Sequence, residues 1–397
     1  MTDARGLVST FENNPPRSGG HRSALSRRAF LGGGAAALGA AASGCVASTR
    51  SANLDLRAED FGDIRIVNWP EYIDPDLIEP IAAAANLRVS YDEVYNDNVS
   101  GWDELIAPYL GATAIPPYSL IVPTNWVASR LVGLGELQPI PLEVVPNHVN
   151  IDPAFLTMGW DRGARFHMPW QAGITGIAYD PARTGREITS VADLFDPAFA
   201  GRVGGIVEMR EAIGLAMLAN GDDPSRPTRA TADRGFDRIE QSVASGQFGA
   251  WTANEFSDML AAGELDIAMA WSGDVVQLQA DRPDIKFVIP DEGAIQWFDT
   301  MVIPAGRSNS EIAAAGRWMN EVYNPTTAAS ITEWVQYISP VLGVREELLA
   351  RGGESEALAT NPILFPDDAT KRRLYTWGSL SADDENELDA RFNVLIA

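Results

Sequence analysis

A chain of 397 residues that is 46% apolar has material for two domains, each able to build a core without disulfide or metal. Its net charge of −24 disfavours nucleic acid and anionic lipid as partners and draws in cations, although the same acidity also keeps an exported surface soluble. Cys45 is the only cysteine, and His21, His148 and His167 are the only histidines, with no two at a metal-ligand spacing. An intrachain disulfide is therefore excluded, and redox chemistry, a zinc hydrolase or a His-based triad has little material to work with.

The first 45 residues read as an address. Ser26-Arg27-Arg28-Ala29-Phe30-Leu31 has the form of a twin-arginine export signal, followed by an Ala/Gly/Leu stretch that is too short and glycine-rich for a membrane span. It ends in Ala42-Ser43-Gly44-Cys45, a lipobox-like sequence in which Cys45 is the residue that would be acylated; cleavage by ordinary signal peptidase is the alternative. The small polar residues 46–61 form a tether, and folded structure is expected from Gly62.

From there, short apolar runs alternate with segments of helix length. Ile64–Val67 reads as a strand, Pro75–Ala85 as a helix opened by Asp74 and Pro75, Leu87–Tyr91 as a strand, Trp102–Leu110 as a helix and Ser119–Val122 as a strand. The alternation implies an α/β fold with a largely parallel sheet. The pattern changes near Met168-Pro169-Trp170. A second series follows with Ile174–Tyr179, Val191–Phe195 and Val203–Val207, then a helix over Ala212–Ala219. Strands over Asp266–Trp271 and Lys286–Ile289 and a helix over Glu311–Tyr323 complete it. Two α/β units bind ligand in the crevice between them, near the carboxyl ends of strands. Trp69, Trp126, Glu208 and Trp271 all fall at such ends.

Six segments in order carry a resemblance. They are Asn68-Trp69-Pro70-Glu71-Tyr72-Ile73, Leu120-Ile121-Val122-Pro123-Thr124-Asn125-Trp126, Gly176-Ile177-Ala178-Tyr179-Asp180, Ala192-Asp193-Leu194-Phe195-Asp196-Pro197, Met269-Ala270-Trp271-Ser272-Gly273-Asp274 and Gly293-Ala294-Ile295-Gln296-Trp297-Phe298-Asp299. From about Ile64 to Leu342 the chain resembles the spermidine/putrescine-binding proteins of bacterial ABC importers, a branch of the periplasmic binding-protein superfamily. The resemblance implies an α/β, two-lobe, type II-like periplasmic-binding-protein fold with the ligand in the interlobe cleft and a hinge. By that analogy one lobe holds 62–170 and 300–341, and the other holds 171–299 and 342–397.

A polyamine is a methylene chain with an ammonium at each end, so its site needs separated carboxylates and apolar, preferably aromatic, walls. The resemblance places Trp69, Glu71 and Tyr72 in a first-lobe loop, where Pro70 replaces a Thr or Ser, and Thr124 and Trp126 in the next loop. Trp297 and Asp299, two apart in an extended segment, share a face. Glu208 and Glu211, three apart at a helix start, can reach one cation. Trp271 and Asp274 bracket a strand-to-helix turn, and Tyr337 falls where the family has a hinge-side tyrosine. Asp274 and Glu211 could instead serve only as first-turn acids of their helices.

The expected function is an exported lipoprotein, periplasmic or cell-surface and anchored only through Cys45, that hands a polyamine to ABC permease subunits. It would be a monomer with no cofactor, no metal and no nucleic-acid partner, and not an enzyme. The same fold with another organic cation or an amino acid derivative is the alternative. A secreted carboxylate-based hydrolase is a more distant one. Iron binders of the superfamily use paired tyrosines, and no Tyr-Tyr occurs here.

Overall fold

A computed structural model describes residues 61–95, 97–111 and 114–397. The export signal, Cys45 and the tether as far as residue 60 lie outside the described residues. Strand β1 (Gly62–Asn68) leaves Asp63 and Arg65 at the surface and buries Ile64, then Ile66 to Asn68 without a break, as a strand does on entering a core. Helix α1 (Pro75–Ala84) starts where the Asp74 side chain accepts from the Asp76 amide and Pro75 presets φ. Strand β2 (Leu87–Glu93) then pairs in parallel with β1 from Gly62↔Leu87 to Asn68↔Glu93.

The single helix expected over Trp102–Leu110 is a chain of short pieces instead: α-helical Asn98–Gly101, π-helical Trp102–Ile106 and 3-10 Ala107–Tyr109. Pro108, which has no amide hydrogen to give, stands in the last of them. Strand β3 (Leu120–Ile121) joins β1 on its other side, completing a three-stranded parallel sheet in the order β2-β1-β3. Helix α2 (Asn125–Leu134) follows and stops at Gly135, whose φ of 75° closes the helix.

Strand β4 (Met168–Tyr179) is buried at every position. After it come β5 (Val203–Ile206), α3 (Met209–Ala219), α4 (Arg229–Ala244), β6 (Phe248–Thr252), α5 (Phe256–Ala262), β7 (Ile267–Trp271), α6 (Ser272–Asp281), β8 (Lys286–Val288) and β9 (Ala294–Met301). The chain continues through α7 (Asn309–Val322), α8 (Pro325–Val335), α9 (Val344–Arg351), α10 (Glu354–Ala359), β10 (Leu374–Tyr375) and α11 (Ala382–Ile396). The second sheet has the order β10-β9-β4-β7-β5-β6, with β8 also pairing with β4. Parallel pairing holds for β5 with β6 and β7, and for β9 with β10, whereas β4 runs antiparallel to β7, β8 and β9. The expectation of a largely parallel sheet thus fails at the centre of this sheet. A strand buried on both faces is a continuous apolar run in either direction, so its sequence does not carry its polarity.

β9 connects the two sheets. β9 pairs with β4 from Ile295↔Thr175 to Met301↔Met168, with a shift of register between Phe298 and Thr300. Where that shift falls, Asp299 bridges to Thr124 just past β3, and Val302, the residue after β9, bridges to Ile121 of the smaller sheet. One core takes Ile66, Leu120 and Trp318 together with Met168, Trp170 and Phe298 from β4 and β9, and a second takes Ile206, Ile213 and Phe236. Val344, Leu348 and Ala359 from α9 and α10 join the first core, while Leu388 and Phe392 from α11 join the second. The stretch 342–397, expected within one lobe, therefore divides its packing between the two. No helix among the described residues is long and apolar enough to cross a membrane.

Candidate functional site

The turns after β1, β2, β3, β5, β6 and β7 converge with β9 and the end of α8 on a cavity of about 350 Å³. Every expected ligand residue except Trp126 lines it: Trp69, Glu71, Tyr72, Thr124, Glu208, Glu211, Trp271, Asp274, Trp297, Asp299 and Tyr337. Trp126 is not among the lining residues, because its ring is taken by the Arg210 guanidinium, 3.7 Å from the ring centre. Asp97, Asn98, Asn254, Glu255 and Gln277 also line the cavity and were missed. Asp97 and Asn98 follow β2, so the strand-end rule that singled out Trp69 and Glu208 reaches them, whereas Asn254 and Glu255 follow β6, a strand not expected from the sequence. Gln277 lies one turn beyond Asp274 on α6.

Aromatic rings form a continuous wall. Trp271 meets Trp297 edge-on at 6.5 Å, Trp297 meets Tyr337 at 5.5 Å, and Tyr337 meets Tyr72 edge-on at 5.8 Å. Two glycines make room for it. A Cβ at Gly173 would stand 2.3 Å from the Trp297 ring, and one at Gly273 would stand 2.4 Å from the Tyr337 ring. Each wall tyrosine follows a residue held at positive φ, Glu71 at 54° before Tyr72 and Gln336 at 54° before Tyr337. Left-handed backbone at a residue with a Cβ costs roughly 1–2 kcal/mol, strain of the sort found at binding sites.

The carboxylates are held by short hydrogen-bond chains. Asn98 donates to the Glu208 Oε1 at 2.9 Å and to the Thr124 hydroxyl at 3.0 Å, and Thr124 in turn donates to Asp299 at 2.8 Å. Tyr72 donates to the other Asp299 oxygen at 2.9 Å. Trp297 Nε1 donates to the Thr175 hydroxyl at 3.0 Å; Thr175 and Trp271 Nε1, the latter at 2.7 Å, both donate to Glu211. Asp274 accepts from Tyr337 at 3.2 Å, and its Oδ2 is buried with no partner among the described residues. Thr124, Glu208 and Trp271 are the N-cap residues of α2, α3 and α6, yet none of their side chains caps its helix. They serve the cavity instead, and the positive helix ends favour the charged forms of Glu211 and Asp274 in their first turns, against the effect of burial.

Burial dominates the electrostatics. It pushes Asp274 and Asp299 up to about 7, against the hydrogen bonds that favour their charged forms. Glu208 and Glu211 are raised by the same burial, and Glu211 further by the neighbouring Glu208 charge. Burial keeps the Tyr72 and Tyr337 phenols protonated, so both remain donors. The lining carries seven acids (Glu71, Asp97, Glu208, Glu211, Glu255, Asp274 and Asp299) and no Lys, Arg or His among the described residues. Arg210, the cation beside Glu208, is committed to Asp389 at 3.0 Å and to Glu385. No group of these acids among the described residues is arranged to hold a metal ion. Acids set apart by aromatic faces suit an organic cation with more than one positive centre.

Fold and site together define a two-lobe solute-binding protein. Residues 80–366 match the family described as bacterial extracellular solute-binding protein, and the chain belongs to that family. The spermidine/putrescine-binding periplasmic protein of Escherichia coli (strain K12) is 27% identical over 349 residues, which span 86% of this chain and 90% of that protein. A putrescine-binding periplasmic protein of Pseudomonas aeruginosa is 25% identical over 84% of this chain and 91% of its own length. In fold, the chain is similar to the crystal structure of a spermidine/putrescine ABC transporter substrate-binding protein from Streptococcus pneumoniae. The TM-score is 0.69 at 22% identity, over 85% of this chain and 100% of that one.

Because its folded pKa lies above the unfolded value, Asp274 stabilises the empty protein at low pH, and that contribution is lost as pH rises through about 7. Asp274→Asn, which keeps the acceptor for Tyr337, is expected to melt about 2–8 °C above the unsubstituted protein at pH 8 without ligand. The difference should vanish near pH 4. Calorimetric scans across that range check it, and equal melting temperatures at pH 8 would contradict it.

Proposed function

We propose that this chain is an extracytoplasmic binding protein that captures a polyamine, putrescine or spermidine, and delivers it to the permease of an ABC importer. The observation that carries this reading is the group of carboxylates, Glu211 and Asp299 buried and Glu208 and Asp274 half-buried, flanked by rings and faced by no cation of the lining. Both amines offer what is missing, an ammonium at each end of a slim methylene chain. A carboxylate about 4 Å from an ammonium gains roughly 4 kcal/mol at an effective dielectric near 20, and an aromatic face adds about 0.5–2 kcal/mol. Two such ends, less desolvation and ordering, reach the roughly −8 kcal/mol of micromolar binding. The relatives whose names state polyamine binding support the same ligand class.

The lobes that close are the smaller sheet with α7 to α10 and the larger sheet with α11. β4, β9 and the segment after α8 are the hinge. The protein works as a monomer, tethered to the membrane through an acylated Cys45 after export through the twin-arginine signal. The amine leaves as it entered, with no chemical step.

Titration calorimetry with putrescine and spermidine should give a saturable response in the micromolar range. Asp299→Asn should weaken it at least about tenfold with unchanged circular dichroism, since the loss of one charged partner costs about 1.5–3 kcal/mol or more. A folded sample without response to any di- or triamine would overturn the proposal, and unchanged affinity in Asp299→Asn would remove that carboxylate from the site. Cys45→Ala should release the mature protein from membranes into the soluble fraction. Continued sedimentation with membranes would contradict the lipid anchor.

A further inference from the structure

Trp126 and Arg210 sit in the first turns of α2 and α3, one beside each sheet. Their contact therefore crosses the cleft, as does the hydrogen bond from Asn98 to Glu208. The two contacts differ in kind. Glu208 and Asn98 line the cavity, whereas neither Trp126 nor Arg210 does. Arg210 is only 5% exposed, and its guanidinium is gripped from behind by α11, through Asp389 at 3.0 and 3.2 Å and through Glu385. Its Nε makes no hydrogen bond among the described residues, so on the side of the smaller sheet the Trp126 ring is what faces it.

A guanidinium held this way by two carboxylates of its own lobe is not free to follow the tryptophan when the lobes part. The stack is either made, with the ring face desolvated, or lost. Cation–aromatic attraction is strongest under desolvation, so the contact favours the closed arrangement without touching what is bound inside. Release of the ligand then requires the stack to open, and the fraction of closed molecules scales the apparent affinity.

We propose that Trp126 and Arg210 form an interlobe clasp, braced by the C-terminal helix α11, that sets the closed-state population and thereby the release rate of the ligand. The clasp makes α11 a remote lever on binding. The identity of the ligand rests on the polyamine reading above; the clasp itself does not.

Single-molecule energy transfer between dyes on α1 and α4, in a Cys45→Ser background, reads the closed population with and without ligand. Stopped-flow kinetics with putrescine and spermidine reads release. Trp126→Leu should lower the closed fraction of the ligand-free protein and speed release of both amines by one common factor of about two- to thirtyfold. Association should stay within about twofold, as is usual when a contact forms after capture. Trp126→Phe, which keeps an aromatic face, should recover most of the effect. The double variant Glu385→Gln/Asp389→Asn should reproduce Trp126→Leu, and it tests the clasp if Trp126→Leu does not fold. An unchanged closed fraction and release rate in these variants would overturn the proposal. So would a factor that differs between the two amines, because Trp126 would then be touching ligand. If the unsubstituted protein binds no amine, the closed fraction still decides for or against the clasp while the polyamine reading falls alone.

Discussion

A carboxylate taken out of water without a counter-charge either finds a partner or takes up a proton. The cleft gathers Glu208, Glu211, Asp274 and Asp299 under that constraint and answers it only in part. Hydroxyls, one indole and an amide satisfy most of their oxygens, but these donors carry no full charge. The nearest guanidinium is neutralised by Glu385 and Asp389 on α11. The remaining deficit raises the affinity of these carboxyls for protons, and a cation that enters the cleft relieves it. Ligand binding and proton release are thereby the same electrostatic event seen from two sides.

Much of the local structure is arranged around that deficit at some cost to stability. Thr124, Glu208 and Trp271 stand at helix N-caps and forgo the side-chain cap, which is typically worth about 1 kcal/mol. Glu71 and Gln336 hold left-handed backbone to set the two tyrosines of the wall. Asp299 lies where β9 slips register and crosses from one sheet to the other, a break that re-aims a side chain. These departures fall next to the cavity, where binding rather than folding decides what is kept, although Asn86 and Ala164 also hold positive φ away from it.

Much of the cavity lining was legible from the sequence: Trp69, Glu208 and Trp271 from strand ends, and Glu71, Tyr72, Thr124 and Tyr337 only through the family resemblance. Trp297 with Asp299, and Glu208 with Glu211, reach the cavity as their two- and three-residue spacings implied. Asp97 lies past the end of β2, which was read only as far as Tyr91, and Glu255 follows β6, which no strand expectation covered. The fate of Trp126 depended on Arg210, 84 positions later, and on acids of α11 further still. No spacing encodes a contact of that kind. The polarity of β4 was equally hidden, because a strand buried on both faces shows only an apolar run. The packing of α9 and α10 on the first core followed from where the chain returns after α8, which is a matter of tertiary contact.

Isotope-edited infrared or carbon NMR titration of the aspartate side chains, with the protein empty and then saturated with spermidine, tests the uncompensated charge most directly. In the empty protein the Asp274 and Asp299 carboxyls should titrate near pH 7. With the amine bound they should stay ionised well below that pH, and binding at pH 7 should release protons into the buffer. Carboxyls that titrate in the ordinary acid range when empty, with no change on saturation, would contradict the account.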